Sequence, residues 1–239
     1  MEPGTYLAIA LAVFLGSAAQ SLVGLGIGLF SAPVMTLLEP WTMPGSLIML
    51  ALVLPAVTLV RDHDEIDWPG LNWSLPSRLV GTGLGVWVVA AFSHRQLGVV
   101  VGLVVLLMVL LTWRVVEVPV NRGTLSAAGF VGGVTGTATS IGGPPFALLY
   151  QHRSAQQIRT TMAVYFLIGA GLSLAGLLVT GDLTGAQLRA ALELAPAMLL
   201  GALAGAVSRR WLPASLVRPS LLVVSGASAL VLLVRSLLG

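Results

Sequence analysis

The chain has 239 residues, 56% hydrophobic and only 9% charged, with a mean hydropathy of +0.96. A soluble domain carries roughly 25% charged residues, so most of this chain lacks a water-facing surface. There is no cysteine, which excludes disulfides and thiolate chemistry. The net charge of +3, carried by twelve Arg and no Lys, reads as loop anchoring at a membrane face and argues for no nucleic-acid partner.

In chain order, the first apolar block runs without charge from Pro3 to Leu38 and contains GLGIGLFSAP. Its leading residues carry Glu2 and no Arg, so it reads as part of the mature fold rather than a signal peptide. Three ordinary spans follow at Met43–Val60, Pro76–Phe92 and Gln96–Trp113. A second charge-free block, Gly123–Gln151, contains GTATSIGGPP. Three more spans follow at Ile158–Thr180, Leu188–Val207 and Leu212–Val234. The spans suit a roughly 30 Å hydrocarbon core, and the absence of alternating strand-like segments favours helices over a barrel. Each special block is long for one helix and short for two full spans. Broken backbone at depth is tolerated where it is buried in protein or lines a wet cavity, so both blocks are expected to be helical hairpins that enter and leave on one side.

Arginine placement tests the hairpins. If both blocks return to their starting side, Arg61, Arg78, Arg114, Arg122, Arg153, Arg159, Arg209, Arg210 and Arg218 share one face, and Arg95, Arg189 and Arg235 the other. If each block crosses once, the split is six to six. The nine-to-three split gives the arginine bias expected of a cytoplasmic face and puts both termini outside. The expected fold class is therefore an all-α integral membrane protein of two inverted repeats, each a Gly/Pro-broken hairpin plus three transmembrane helices. The repeats are expected at 1–113 and 124–239, joined by a linker at 114–123.

Two matched sets suggest duplication. Gly24 and Pro33 correspond to Gly136 and Pro145 at an offset of 112, and Pro76, Gly81 and Gly85 to Pro196, Gly201 and Gly205 at an offset of 120. The change of offset implies a small insertion between them. Gly81–Gly85 and Gly201–Gly205 have the GxxxG spacing of close helix packing.

Paired broken helices point to a midplane site, because a helix that begins inside the membrane aims unpaired N–H groups and partial positive charge at its mouth. Pro33 and Pro145 suit first-turn positions of such helices. Gly26, Gly28, Gly142 and Gly143 allow close backbone approach, and Gln20, Ser31, Thr137, Thr139 and Ser140 add side-chain donors. The alternative is that these small residues only pack helices. Glu193, about one turn into its span, is either a proton-coupling carboxylate or an interfacial residue. Arg78 and Arg159 are read at span starts, as anchors or as anion attractors at the inner mouth. His63, His94 and His152 fall in loops without metal-ligand spacing, so neither metal nor cofactor is expected. DHDEID, Asp62 to Asp67, reads as a solvated loop. No H-E-x-x-H, G-x-S-x-G or P-loop occurs, so an enzyme is not expected.

The stretches Ala18–Leu38 (AAQSLVGLGIGLFSAPVMTLL) and Ala127–Tyr150 (AAGFVGGVTGTATSIGGPPFALLY) resemble the two Gly-rich motifs of the TauE/SafE family of sulfite exporters. The GGPP core is the more specific of the two. Arg159-Thr160-Thr161 followed by Tyr165-Phe166 is similar to the family's pattern after the second motif, which adds Thr161 to the candidate site. The first motif departs from the glycine-richer GxGGG form, with Gly26-Ile27-Gly28-Leu29. The resemblance covers essentially the whole chain. It implies transport of small sulfur-containing anions, such as sulfite or organosulfonates, across a prokaryotic inner membrane; with the two inverted halves, the leading reading is a secondary transporter working by alternating access. The implied partners are a small anionic substrate and the lipid bilayer, with possible proton or ion coupling. The competing readings are an anion channel, and a membrane-embedded enzyme or accessory subunit of one.

Overall fold

A computed structural model describes residues 1–24, 26–113, 118–208, 211 and 214–238, with backbone alone at 23, 113, 155 and 214–218. Among the described residues there are ten α-helices and no strand. They are α1 (Pro3–Val23), α2 (Ile27–Leu38), α3 (Gly45–Arg61), α4 (Trp68–Ala91), α5 (His94–Trp113), α6 (Arg122–Thr139), α7 (Pro144–Tyr150), α8 (Ala155–Thr180), α9 (Gly185–Ser208) and α10 (Ala214–Leu238). A 3-10 turn, Pro40–Thr42, joins α2 to α3. Five of the helices are long and apolar enough to cross a membrane. Exposed side chains such as Leu7, Val60, Leu192 and Val179 clothe the helices in apolar surface that a soluble monomer rarely shows. This is a multi-pass membrane protein. The linker residues 114–117, Arg209, Arg210 and the expected span start at Leu212 lie outside the described residues.

Both special blocks are hairpins. In the first, Ser31 Oγ donates to the Ala12 carbonyl (3.1 Å), and Gly16 lies against Ile27, so α2 runs back along α1. The chain turns at Gly24, with φ of 84°, a left-handed conformation that glycine adopts without penalty. In the second, α6 ends at Ser140, also left-handed at φ 62°, and α7 folds back so that Gly142 meets Gly132. The returning arms are short. At 1.5 Å per residue, α2 is about 18 Å long and α7 about 10 Å, against roughly 30 Å for the apolar core.

These turns correct the expected correspondence. Gly24 and Ser140 are 116 residues apart, and so are the close pairs Gly16–Gly26 and Gly132–Gly142. A Cβ on Gly26 would come within 2.7 Å of the Gly16 carbonyl oxygen, and one on Gly142 within 2.5 Å of the Gly132 carbonyl oxygen. The match of Gly24 with Gly136 and Pro33 with Pro145 is one helical turn out of register. Pro33 is the seventh residue of α2, inside the helix rather than at its start. Pro145 does lie in the first turn of α7. The helices that follow the two turns differ in length: α8 has 26 residues to the 17 of α3, while α7 has 7 to the 12 of α2.

The GxxxG pairs explain the tightest packing. Gly81 of α4 seats on the Phe130 backbone of α6, and Gly85 on Val134 and Thr137. Gly201 of α9 seats on the Phe14 backbone of α1, and Gly205 on Ala18. In both pairs contacts advance together along the chain, so α4 runs with α6 and α9 with α1. Any side chain at these glycines would strike backbone. By the same test α8 runs with α4, since Thr161 bonds Asp67 and Gly176 meets Val86. It runs against α3, whose Gly45 end meets Leu183 and whose Asp62 end meets Arg159. Helices α5 and α10 are antiparallel, with Gly98 against Ser236 and Gly102 against Leu233.

Candidate functional site

The turns of the two hairpins meet. A Cβ on Gly28 would come within 2.5 Å of the Ser140 carbonyl oxygen. Between them lies a cavity of about 50 Å³, with α3, α4 and α8 closing its sides. A water-sized group needs roughly 10–15 Å³ on this measure. The cavity therefore holds about three to five such groups, the size of a small oxyanion.

Six of the expected site residues line this cavity: Gln20, Gly26, Gly28, Ser140, Gly142 and Gly143. Four do not. Ser31, fully buried, is turned to the Ala12 carbonyl. Thr139 donates to the Thr135 carbonyl at 2.7 Å. Thr137 bonds the Gly133 carbonyl and the Ser173 hydroxyl at 2.8 and 2.7 Å. Thr161 accepts the Asp67 N–H at 3.0 Å, at the loop end of α8. Side-chain hydroxyls are thus largely spent on backbone carbonyls, as is usual for Ser and Thr in helices without water. Even Ser140 donates to the Pro44 carbonyl at 3.1 Å.

The start of α2 supplies backbone donors. Gly26 caps it, and the Ile27 N–H is taken by Gln20 Oε1 at 3.2 Å. Gly28 and Leu29, in the first turn, have N–H groups with no intrahelical acceptor, and both residues line the cavity. The start of α7 differs. Its first two residues are Pro144 and Pro145, which carry no N–H.

Arg78 supplies what α7 lacks. The side chain lines the cavity and is 3% exposed, and its Nε and Nη1 are buried without a hydrogen-bond partner. The guanidinium lies 4.0 Å from the centroid of the Tyr165 ring, a cation–π contact that holds it in place. Tyr165 in turn stacks on Phe146, with centroids 4.1 Å apart. Gly169 makes the room, since a Cβ there would overlap the guanidinium. Arg78 is thus buried inside α4 rather than placed at a helix start. Helix α4 begins at Trp68, eight residues before the expected Pro76, which places Arg78 about 15 Å along it. The missed signal is Asp67-Trp68-Pro69, a helix N-terminus with an Asp cap and an early Pro. The Asp67 carboxylate accepts the Gly70 N–H at 3.0 Å.

A family model described as Sulfite exporter TauE/SafE matches residues 9–232. The chain belongs to the TauE/SafE family. No curated protein and no solved structure shows a match to it. Both Gly-rich motifs of this TauE/SafE chain therefore converge on one cavity, with a buried arginine between them.

The other flagged residues lie elsewhere. Glu193 is exposed on α9, with only its carbonyl engaged, by the Tyr6 hydroxyl at 3.0 Å. It is outside the cavity. Arg159 pairs with Asp62 at 3.0 Å, as an anchor would. The Asp62–Asp67 loop is docked rather than freely solvated. Glu65 accepts from Ser154 at 2.6 Å and Asp67 from the Tyr150 hydroxyl at 2.7 Å.

Proposed function

We propose that this TauE/SafE member is an alternating-access carrier of small sulfur-containing anions, and that the cavity between the hairpin turns is its substrate site. The observation that carries the reading is Arg78, a buried cation with unused donors in an oxyanion-sized cavity. An ionised group is rarely left so at depth unless it meets a ligand or lines a pathway. Opposite it, the Gly28 and Leu29 N–H groups at the start of α2 complete an anion-binding geometry. A trigonal or tetrahedral –SO3 head fits that size, and the apolar wall of Ile48, Ala51, Phe166 and Ala170 suits a short alkyl part.

The carrier architecture is two inverted repeats, 1–113 and 124–239, joined through 114–123. Helix directions support it. Since α1 runs with α9, α9 returns from α8 through a short turn, and α8 runs with α4 and α6, the first helices of the two halves point in opposite senses. Each half also docks its GxxxG helix on the other half's hairpin. Sites at the interface of such repeats are the usual carrier arrangement. The arginine-rich face is cytoplasmic, with both termini outside and the inner membrane as the location.

The test is a thermal-shift screen of the purified chain against sulfite, methanesulfonate, acetate and chloride. A ligand at about 100 times its dissociation constant stabilises by roughly 2.7 kcal/mol. Stabilisation by the sulfur oxyanions above the controls is expected. A response equal for all four anions contradicts the substrate assignment. For topology, single cysteines near Pro40 and in 62–66 should label from opposite sides of the membrane, which the absence of native cysteine makes simple to read.

A further inference from the structure

We infer that the carrier is an anion exchanger, because the charge of Arg78 makes crossing without a bound anion slow. This rests on the reading of the cavity as the transport site. Among the described residues that line the cavity, Arg78 is the only ionisable one. The one salt bridge among the described residues is Arg159–Asp62, so no carboxylate neutralises it. A guanidinium does not lose its proton in proteins, so the charge is permanent. Nor is the group free to reach water, held as it is against Tyr165 and in the space left by Gly169.

Alternating access passes through a state closed to both sides. With a monoanion bound, the cavity's net charge is zero there. Without one, a fixed cation is left in a low-dielectric space with no counter-charge, a strongly unfavourable arrangement. The loaded carrier therefore crosses far faster than the unloaded one, and outward movement of one anion depends on the return of another. The same count defines the chemical class of both passengers. One fixed positive charge is neutralised by one negative charge, so small monoanions are carried in both directions. A dianion would leave the closed cavity negative.

The experiment uses the full chain in proteoliposomes loaded with labelled methanesulfonate, with the membrane potential clamped at zero by potassium and valinomycin. Efflux is measured into gluconate, too large for the cavity, and into unlabelled methanesulfonate. External methanesulfonate is expected to speed efflux on the order of a hundredfold, the scale at which an unpaired buried charge is penalised. A ratio of one, with flux intact, overturns the exchange mode alone. Absence of any anion flux or binding overturns the site reading as well. The variant Arg78→Lys makes the cause testable, because a buried lysine sheds its proton readily. Its exchange ratio should fall towards one as pH rises from about 6 to 9, while the wild-type ratio stays flat. Tyr165 is the titratable group in contact with position 78 and is common to both proteins. Equal, pH-independent ratios in the two proteins would overturn Arg78 as the cause.

Discussion

The two glycine-broken hairpins share a backbone and differ in the charge they bring to the cavity. Both turn through a left-handed residue, Gly24 or Ser140, and both close on a Gly–Gly contact ten residues wide. At the first, the α2 start leaves N–H groups without an intrahelical acceptor at residues that line the cavity. At the second, Pro144 and Pro145 remove them, and Arg78 reaches in beside Gly136, with its Nη2 3.4 Å from a Cβ built there. The equivalent position in α9, 120 residues on, is Met198, fully buried in the core. The lesson is that the two hairpins match where glycines are demanded by backbone contact. They differ in the groups that line the cavity, where one hairpin brings backbone N–H groups and Arg78 stands beside the other.

That comparison can be broken at the scaffold first. Gly81→Leu and Gly201→Leu force a side chain into the Phe130 and Phe14 backbones. Each should destabilise the protein by about 1–3 kcal/mol or more in chemical unfolding, overpacking being costly where backbone cannot yield. Similar losses support equivalent roles for the two helices, and a loss at only one position contradicts them. Next comes the seat of the cation. Gly169→Ala displaces the guanidinium, the flexible end of a side chain, so stability should change little. Anion affinity by calorimetry should fall roughly tenfold or more, since hydrogen bonds to charged groups are worth about 1.5–3 kcal/mol.

Smaller effects sharpen the contrast between scaffold and site. Ser140→Ala removes the bond to the Pro44 carbonyl and should cost about 1 kcal/mol of stability, with less than a threefold change in anion affinity. A larger affinity loss would mean that the hydroxyl turns to the ligand. Arg159→Gln breaks a partly exposed pair with Asp62 and should cost less than about 1 kcal/mol in unfolding, leaving affinity unchanged.

Much of the scaffold was legible because membranes impose simple constraints. Charge-free blocks interrupted by Gly and Pro marked both hairpins, and GxxxG marked both tight helix pairs. Register was read one turn out because Gly24 and Gly136 share a residue type but not a conformation. The left-handed partner of Gly24 is Ser140, a residue that needs local context to adopt a positive φ. Six of ten proposed site residues reach the cavity because close approach requires glycine wherever the turns meet. The hydroxyls did not follow, since in a dry interior Ser and Thr bond the nearest carbonyl. Arg78 was legible as a possible anion attractor but misplaced through its helix start. Read from Pro76 it lies at a helix start, and read from the Asp67 cap it lies ten residues into α4.

The most direct measurement of the central claim is anion affinity, by calorimetry at one pH and salt concentration, for wild type and Arg78→Met. Methionine is the residue found at the equivalent position of α9, and replacing an unpaired buried cation by an apolar side chain should not harm folding. The account predicts that Arg78→Met unfolds at or above the wild-type midpoint and binds sulfite or methanesulfonate about a hundredfold more weakly, the loss expected for two charge-assisted hydrogen bonds at the low end of their range. A folded Arg78→Met that binds these anions as tightly as wild type would contradict the account.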